Sequence, residues 1–189
     1  MRPLARYLVT AVTGIVAGLG GAIWTARAGA LGSNVTIGAW TTGIDFGSAD
    51  QSARTRAVVA MRGLLALPAR EARYYTAAVD DAGRPLDGRC TYRITGGALP
   101  GRWWSLTLYD GAGYLAGPGP YSIESAAIPP ERQRRWTILV SPQRQDGAWL
   151  PTAELAHFEL TLRTYLPPDG GRGNPARDQL PGIRREACE

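Results

Sequence analysis

The 189-residue chain is 44% hydrophobic and carries a net charge of +5 at pH 7, which suits one globular domain with its own core and excludes a chain disordered throughout. All 21 basic residues are arginine, and they are scattered except for two clusters, Arg132, Arg134 and Arg135, and then Arg184 and Arg185. This spread predicts a solvated surface and no nucleic-acid partner, and it leaves attraction to anionic lipid or polysaccharide open.

The N-terminal segment is predicted to contact the lipid bilayer. No charge lies from Tyr7 to Ala26, and a helix of that length spans roughly 30 Å, the thickness of a hydrocarbon core. Arg2 and Arg6 precede it and only Arg27 follows closely, so the positive-inside rule predicts one pass through a bacterial inner membrane with the C-terminal domain in the periplasm.

Two features of this segment leave alternatives open. Ala26-Arg27-Ala28 is an A-x-A pattern typical of a cleaved signal peptide, whereas the long apolar run and the interfacial Trp24 favour a retained anchor. Small residues recur at every fourth position and predict a homodimer through the membrane helix: Thr10, Gly14, Gly18, Ala22 and Ala26.

The next segments are predicted to be a linker over 29–47, with one short strand from Val35 to Trp40, and a helix over 48–68. Ser48 or Asp50 is expected to cap the helix, and Pro68 to end it. Its buried side is expected to carry the apolar residues that recur with helical spacing: Ala53, Ala57, Met61 and Leu64.

Residues 69–189 are predicted to form a β-domain. Two alternating runs flank "DDAGRPLDG", which is rich in turn-forming residues, so they are expected to pair as a long hairpin. Further alternating runs with Gly/Pro-rich connections predict an antiparallel β-sandwich or barrel with one packed α-helix.

The chain has only two cysteines, Cys90 and Cys188, and their spacing excludes a CxxC motif. In an exported protein they are expected to form a disulfide, which would stabilise the fold by on the order of 4 to 5 kcal/mol; two unpaired thiols are the alternative.

Alternation also predicts which side chains share a face. In "WWSLTLYD", Trp104, Leu106 and Leu108 are expected in the core, with Trp103 and Tyr109 on the opposite face. In "HFELTLRTY", the polar positions are on one side. If both strands belong to one sheet, the sequence predicts an amphipathic ligand groove; the alternative is a second buried layer with a Glu159–Arg163 bridge. The groove would be lined by Trp103, Tyr109, His157, Glu159 and Arg163.

Signatures of catalysis are scarce, and no catalytic residue is assigned. One histidine makes no His-rich metal site, no G-x-S-x-G occurs, and the glycines of "DGAGYLAGPGP" lack the Lys-Ser/Thr of a phosphate loop. No metal and no cofactor are therefore expected. Carboxylate pairs for glycoside hydrolysis remain available among Asp110, Glu124, Glu154 and Glu159.

Four segments in order resemble the DUF1214 family, a domain of unknown function: "EARYYTAAVDDAGRPLDGRCTYRI", "RWWSLTLYDGAGYL", "AWLP" and "FELTLRTYLP". The chain is similar to the short, membrane-anchored exported members. The resemblance covers roughly residues 70–168 and implies a jelly-roll-like antiparallel β-sandwich of unassigned activity. The segment "LAGPGPYSIES" departs from the family pattern, which puts ligand contacts there in doubt.

Two functions follow as expectations. The first is a membrane-tethered envelope protein that binds a glycan or an envelope protein. The second is a hydrolase or lyase acting on an envelope carbohydrate, with Glu159 or Asp110 as acid or base and Arg163 as an anion or transition-state clamp.

Overall fold

Ten strands lie in two sheets in the part of the chain that the computed structural model describes, which comprises residues 3–28, 35–43, 45, 47–61, 66–115, 119–152 and 155–188. One sheet has six strands in the order β1-β2-β3-β9-β5-β6, and the other has four in the order β10-β4-β7-β8. The strands are β1 Val35–Ile37, β2 Trp40–Thr42, β3 Ala72–Ala77, β4 Cys90–Gly96, β5 Trp103–Asp110, β6 Ser122–Glu124, β7 Trp136–Ser141, β8 Trp149–Pro151, β9 Phe158–Tyr165 and β10 Gly182–Cys188.

The two sheets enclose one apolar core. Leu106 and Leu108 of β5, with Leu160 and Leu162 of β9, face Tyr92, Ile94, Ile138 and Val140 of the smaller sheet, and all are buried. The mainly-β sandwich predicted from the sequence is therefore confirmed. The pairings between its strands are antiparallel except that of β7 with β8, which is parallel.

Helix α1, Pro3–Ala28, contains a stretch from Leu4 to Trp24 that is long and apolar enough to cross a membrane, with a mean hydropathy of 1.6 and no burial against the protein. A membrane span and a signal sequence share these properties, so the helix is consistent with both. The Thr10 hydroxyl donates to the carbonyl of Arg6 within the helix. Pairing of this helix with a second copy stays a prediction.

The segment 29–47 differs from a plain linker, because β1 and β2 form a hairpin at the edge of the six-stranded sheet. Gly38 makes the turn with a φ of +61°, which glycine adopts without strain. Trp40 is fully buried, and its indole N–H donates to the carbonyl of Pro181 at 2.7 Å. The glycine-rich composition gives little indication of this edge, which is held by the buried Trp40 and by the pairing of β2 with β3.

Helix α2, Ala53–Met61, is shorter than the predicted helix over 48–68, and its cap is Ser52, whose hydroxyl accepts the N–H of Thr55 at 3.1 Å. The predicted buried side was wrong. Ala53 and Ala57 are exposed, whereas Thr55 and Val59 are buried, because Val59 offers more apolar area to the sheet than an alanine does. Residues 62–65, with Leu64, lie outside the described residues.

The predicted hairpin around "DDAGRPLDG" was also wrong. Strand β3 belongs to the six-stranded sheet and β4 to the four-stranded sheet, so the connection crosses between sheets. Alternation specifies which side of a strand is apolar but not its neighbour. Tyr75 of β3 and Tyr92 of β4 both point into the shared core, and the two strands contribute to it from opposite sheets.

The disulfide is confirmed, because Cys90 and Cys188 are bonded. They are register partners at the ends of β4 and β10, which holds the last strand on the edge of the smaller sheet.

A buried carboxylate organises the crossing connection. The Asp80 carboxylate accepts hydrogen bonds from the backbone N–H groups of Ala82 and Arg84, at 3.0 and 2.9 Å. It also accepts one from the side-chain Nε of Arg84 at 2.8 Å. Burial raises the pKa of Asp80, but the hydrogen bonds from the Arg84 side chain and from the two backbone N–H groups outweigh it and hold the pKa below its usual value.

The lowered pKa of Asp80 predicts a loss of stability in acid. Protonation is harder in the folded protein than in the unfolded chain, so this stabilisation is complete above about pH 4 and is lost as the pH falls through the folded-state pKa. Asp80→Asn should be less stable than the parent at pH 7 and should lose less stability on acidification, as followed by urea unfolding between pH 7 and pH 2. Asp146→Asn, at an exposed position, serves as the control; an identical acid profile in Asp80→Asn and the parent would contradict the role of Asp80.

Candidate binding face of the six-stranded sheet

The outer face of the six-stranded sheet brings four of the five predicted groove residues onto one surface. Strands β5 and β9 are direct neighbours, with Trp103 opposite Tyr165 and Tyr109 opposite Glu159. Arg163 lies on the same face opposite Ser105. The alternation therefore placed these residues correctly, because a packed inner face fixes the direction of every side chain on both strands.

Arg163 is the central polar group of this face. Its guanidinium donates to Thr107 Oγ1 at 3.1 Å and to the Tyr109 hydroxyl at 2.7 Å, and it lies 5.6 Å from the centre of the Tyr109 ring and 6.0 Å from that of Tyr74. Within the described residues, these contacts are to hydroxyls and aromatic rings, and no carboxylate forms an ion pair with Arg163.

A row of hydroxyl groups crosses the sheet next to Arg163. The register aligns one hydroxyl residue from each strand: Thr36, Thr41, Thr76, Thr161, Thr107 and Ser122. The Thr107 and Ser122 hydroxyls lie 3.1 Å apart, and Ser122 also donates to the carbonyl of Leu106. Thr107 and Thr161 are buried, so the members of this row that are at least partly exposed are Thr36, Thr41, Thr76 and Ser122.

Aromatic rings extend the face along the strand direction. Trp103 packs against Tyr165 with ring centres 4.9 Å apart, and both are half-buried. Trp103 and Tyr109 lie six residues apart on one strand, which separates them by roughly 20 Å. The candidate residues therefore form an elongated strip with Arg163 between its ends, and not one small pocket.

Helix α2 covers one side of this face. Val59 packs against Ala72 and Tyr74, with Tyr165 at the edge of the same cluster. The Tyr74 hydroxyl accepts the N–H of Leu67 at 2.9 Å, and burial raises the pKa of Tyr74, so the phenol stays neutral at physiological pH. Tyr74 belongs to the face, but sequence reasoning missed it because nothing in β3 indicates that β9 is its neighbour.

His157 lies apart from the other groove residues. His157 is exposed and lies just before β9, outside the β5–β9 ladder. Its backbone forms an isolated antiparallel β-bridge with the backbone of Asp87. The Asp87 carboxylate accepts hydrogen bonds from the side chain and N–H of Arg89, which hold its pKa well below its usual range, with a smaller contribution from His157. His157 thus stands beside a different group of charges.

The described carboxylates among those proposed for catalysis, Asp110, Glu124 and Glu159, are not arranged as a pair. Asp110 lies opposite Phe158 and points to the other side of the sheet from Glu159, and it accepts the N–H groups of Ala112 and Tyr114 in a turn. Glu124 shares the face of Glu159 but is two strands and four residues away, about 17 Å by strand geometry. Glycoside hydrolysis needs carboxyl groups about 5 to 9.5 Å apart. Glu154 is outside the described residues.

No cluster of His, Cys, Asp or Glu suited to a metal ion occurs in the described parts of the chain.

Residues 71–169 match the family described as "Protein of unknown function (DUF1214)". This range runs from the start of β3 to just beyond β9 and contains the strands of the candidate face except β1 and β2. No curated protein matches this chain.

Solved structures that align with this chain include the following two. The VPA0106 protein from Vibrio parahaemolyticus aligns with a TM-score of 0.60 and 20% identity over 99% of this chain and 46% of its own, and this likeness supports the fold alone. An uncharacterized protein from Burkholderia cenocepacia aligns with a TM-score of 0.43 and 23% identity over 63% of this chain and 30% of its own. This chain spans less than half the length of either protein.

The two adjacent tryptophans provide a test of which face is core. Trp104 is 6% exposed and stacks on Trp136 with ring centres 4.6 Å apart, so Trp104→Ala should lower the free energy of unfolding by about 3 to 5 kcal/mol. Trp103 is half-buried against Tyr165, so Trp103→Ala should lower it by only about 1 kcal/mol. Urea unfolding followed by circular dichroism measures both, and equal large losses would identify the outer face as a second buried layer.

Proposed function

Starting from the DUF1214 family, to which this chain belongs and whose description names no activity, we propose that the protein binds an acidic polysaccharide along the outer face of its six-stranded sheet. The observation that carries this proposal is Arg163, a half-buried guanidinium held between two phenol rings by hydroxyls. A cation in such a place leaves its charge available to an anionic ligand.

The chemistry of the face supports a sugar as the body of the ligand. Sugars have apolar faces that pack on aromatic rings and hydroxyl groups that exchange hydrogen bonds with neutral partners. Trp103 and Tyr109 supply the rings, and the partly exposed Thr76 and Ser122 of the hydroxyl row supply hydroxyls. A carboxylate on the sugar would then pair with Arg163.

The length of the face supports a polymer. Its aromatic ends are roughly 20 Å apart along β5, which is longer than a monosaccharide and matches a chain of several units laid along the strands. Binding is favoured over hydrolysis because Asp110 and Glu159 point to opposite sides of the sheet and Glu124 is too distant to cooperate with Glu159.

We place this binding in the periplasm, with α1 as a retained anchor in the bacterial inner membrane. The uncharged span and the arginines before it support this orientation, and the disulfide fits an oxidising compartment. A tethered domain of this kind would meet envelope polysaccharide or an envelope protein at the membrane surface.

A glycan array tests the binding proposal. The full chain, reconstituted in phosphatidylcholine nanodiscs, should bind oligosaccharides of uronic acids and should bind their neutral counterparts at least about tenfold more weakly, since a charge-assisted contact contributes more than about 1.4 kcal/mol. Arg163→Gln should abolish this preference, and Trp103→Ala should weaken binding of every acidic oligosaccharide.

Arg102→Gln is the matched control, because Arg102 is exposed and adjacent to the strip. Equal binding of neutral and acidic glycans, or equal losses in Arg163→Gln and Arg102→Gln, would reject the proposal. Release of reducing ends from a bound oligosaccharide would favour the carbohydrate-active alternative with Glu159 and Arg163.

The anchor is tested separately by the N-terminus of the mature protein. Because the apolar run is longer than a usual signal core, we expect protein from the membrane fraction to retain residues 1–28 and to resist extraction with alkaline carbonate. A mature N-terminus at Gly29 would show instead that the segment is a cleaved signal peptide.

A further inference from the structure

A second site lies at the open edge of the sandwich, away from the outer face. A cavity of about 680 Å³ is present where β6 of one sheet approaches β8 of the other, under the turn that contains Ala127 and Ile128. A volume of this size is typical of small-molecule sites. Ile123 lines the cavity from the inner face of β6, whereas its neighbour Glu124 points to the opposite side of the sheet.

The inner wall of the cavity is apolar. Ile123, Ile128 and Trp136 are buried core residues that line it, and the half-buried Trp149 adds an indole from β8. The Trp149 N–H is already bonded to Ser141, at 3.2 Å to its carbonyl and 3.1 Å to its hydroxyl. The ring is therefore fixed in orientation and offers an apolar surface to whatever enters.

The rim of the cavity is cationic. Arg132 and Arg135 line it, and the guanidinium of Arg144 lies 5.8 Å from the centre of the Trp149 ring. All three arginines are exposed, and none forms an ion pair with a carboxylate among the described residues. Among the described residues, those that line the cavity include no acidic side chain.

The arginines elsewhere on the sandwich show that this arrangement is not general. Arg84, Arg93 and Arg177 each pair with a carboxylate, at distances of 2.8 Å or less. Arg132, Arg135 and Arg144 differ from these three, because no carboxylate among the described residues pairs with them. Unpaired guanidinium groups beside an apolar wall fit a ligand that carries both an anionic group and an apolar part.

We propose that this cavity binds an amphipathic anion, with a phosphate or carboxylate group at Arg132 and Arg135 and an apolar tail against Trp149 and Ile128. The site is independent of the proposed polysaccharide face, since the two lie on opposite sides of β6 and share no residue. The ligand requires both parts, because an anionic group alone would leave the apolar wall without a contact, and an apolar tail alone would leave the two arginines without a partner.

Calorimetric titration with three probes tests this requirement. The full chain in phosphatidylcholine nanodiscs is titrated with hexyl phosphate, with inorganic phosphate and with hexanol, and the heat from empty nanodiscs is subtracted. Hexyl phosphate should bind at least about tenfold tighter than either of the other probes. Failure of hexyl phosphate to bind in the millimolar range, or equal binding of inorganic phosphate, would overturn the proposal.

Matched arginine variants locate the binding. Arg135→Gln and Arg132→Gln should each weaken hexyl phosphate binding by about tenfold, whereas Arg134→Gln should leave it unchanged, because Arg134 is exposed in the same cluster but does not line the cavity. Equal losses in all three variants would reveal general attraction to a basic surface and would overturn the proposal.

The source of the anion is distinguished by the lipid. If phosphatidylglycerol in the nanodisc competes with hexyl phosphate, the natural ligand is a membrane lipid, and if it does not, the ligand is a soluble anion; both results support the site. Binding of hexyl phosphate should also persist in Arg163→Gln, which keeps this test separate from the polysaccharide proposal.

Discussion

The pairing of β5 with β9 is the interaction on which the rest of the structure depends. It joins eight residue pairs from Trp103 opposite Tyr165 to Asp110 opposite Phe158, at the centre of the larger sheet. Leu106 and Leu162 lie opposite each other on its buried side. Because side chains alternate, a slip of one residue in β9 would bury Arg163 and expose Leu162, so the core that fixes the register also fixes the binding face.

Local pattern was enough to predict what lies on each side of these strands. The alternation in "WWSLTLYD" and "HFELTLRTY" placed Trp104 in the core and Arg163 outside it, and an even pair of cysteines in an exported chain predicted the disulfide. The first inference rests on the two-residue periodicity of a strand and the second on the redox compartment. Neither requires knowing which strands are neighbours in the sheets.

Pairing between distant segments was not predictable in the same way. Strands β3 and β4 have the same alternating pattern, yet they enter different sheets because their buried residues face each other across the core. Tyr74 was missed for that reason. The side of α2 that contacts the sheet was also wrongly predicted, because the spacing of apolar residues does not show that Val59 has more apolar area to bury than Ala57. The cluster of Arg132, Arg134 and Arg135 was visible in the sequence, but the cavity beside it depends on β6 meeting β8.

The arginines of the sandwich lie in three different environments. Arg73 is 2% exposed, and its Nη groups donate to the carbonyls of Gly171 and Gly173 and to two side-chain oxygens, so it holds a loop on the sandwich. Arg84 and Arg93 are compensated by carboxylates. Arg163 and the cavity arginines differ from both groups, since they are within reach of solvent and lack a carboxylate partner in the described residues.

The disulfide has a consequence for the integrity of the chain. The bond joins positions 90 and 188, so the sequence of every strand from β5 to β9, with Arg163 and the residues that line the proposed cavity, lies inside one covalent loop. A protease that cuts an exposed turn within this loop, such as the one around Gly111 and Ala112, opens the backbone without separating the fragments. The two fragments of the cleaved chain stay covalently linked until a reductant reaches Cys188, which lies at the exposed end of β10. In an oxidising compartment, a single cleavage within the loop therefore releases neither fragment.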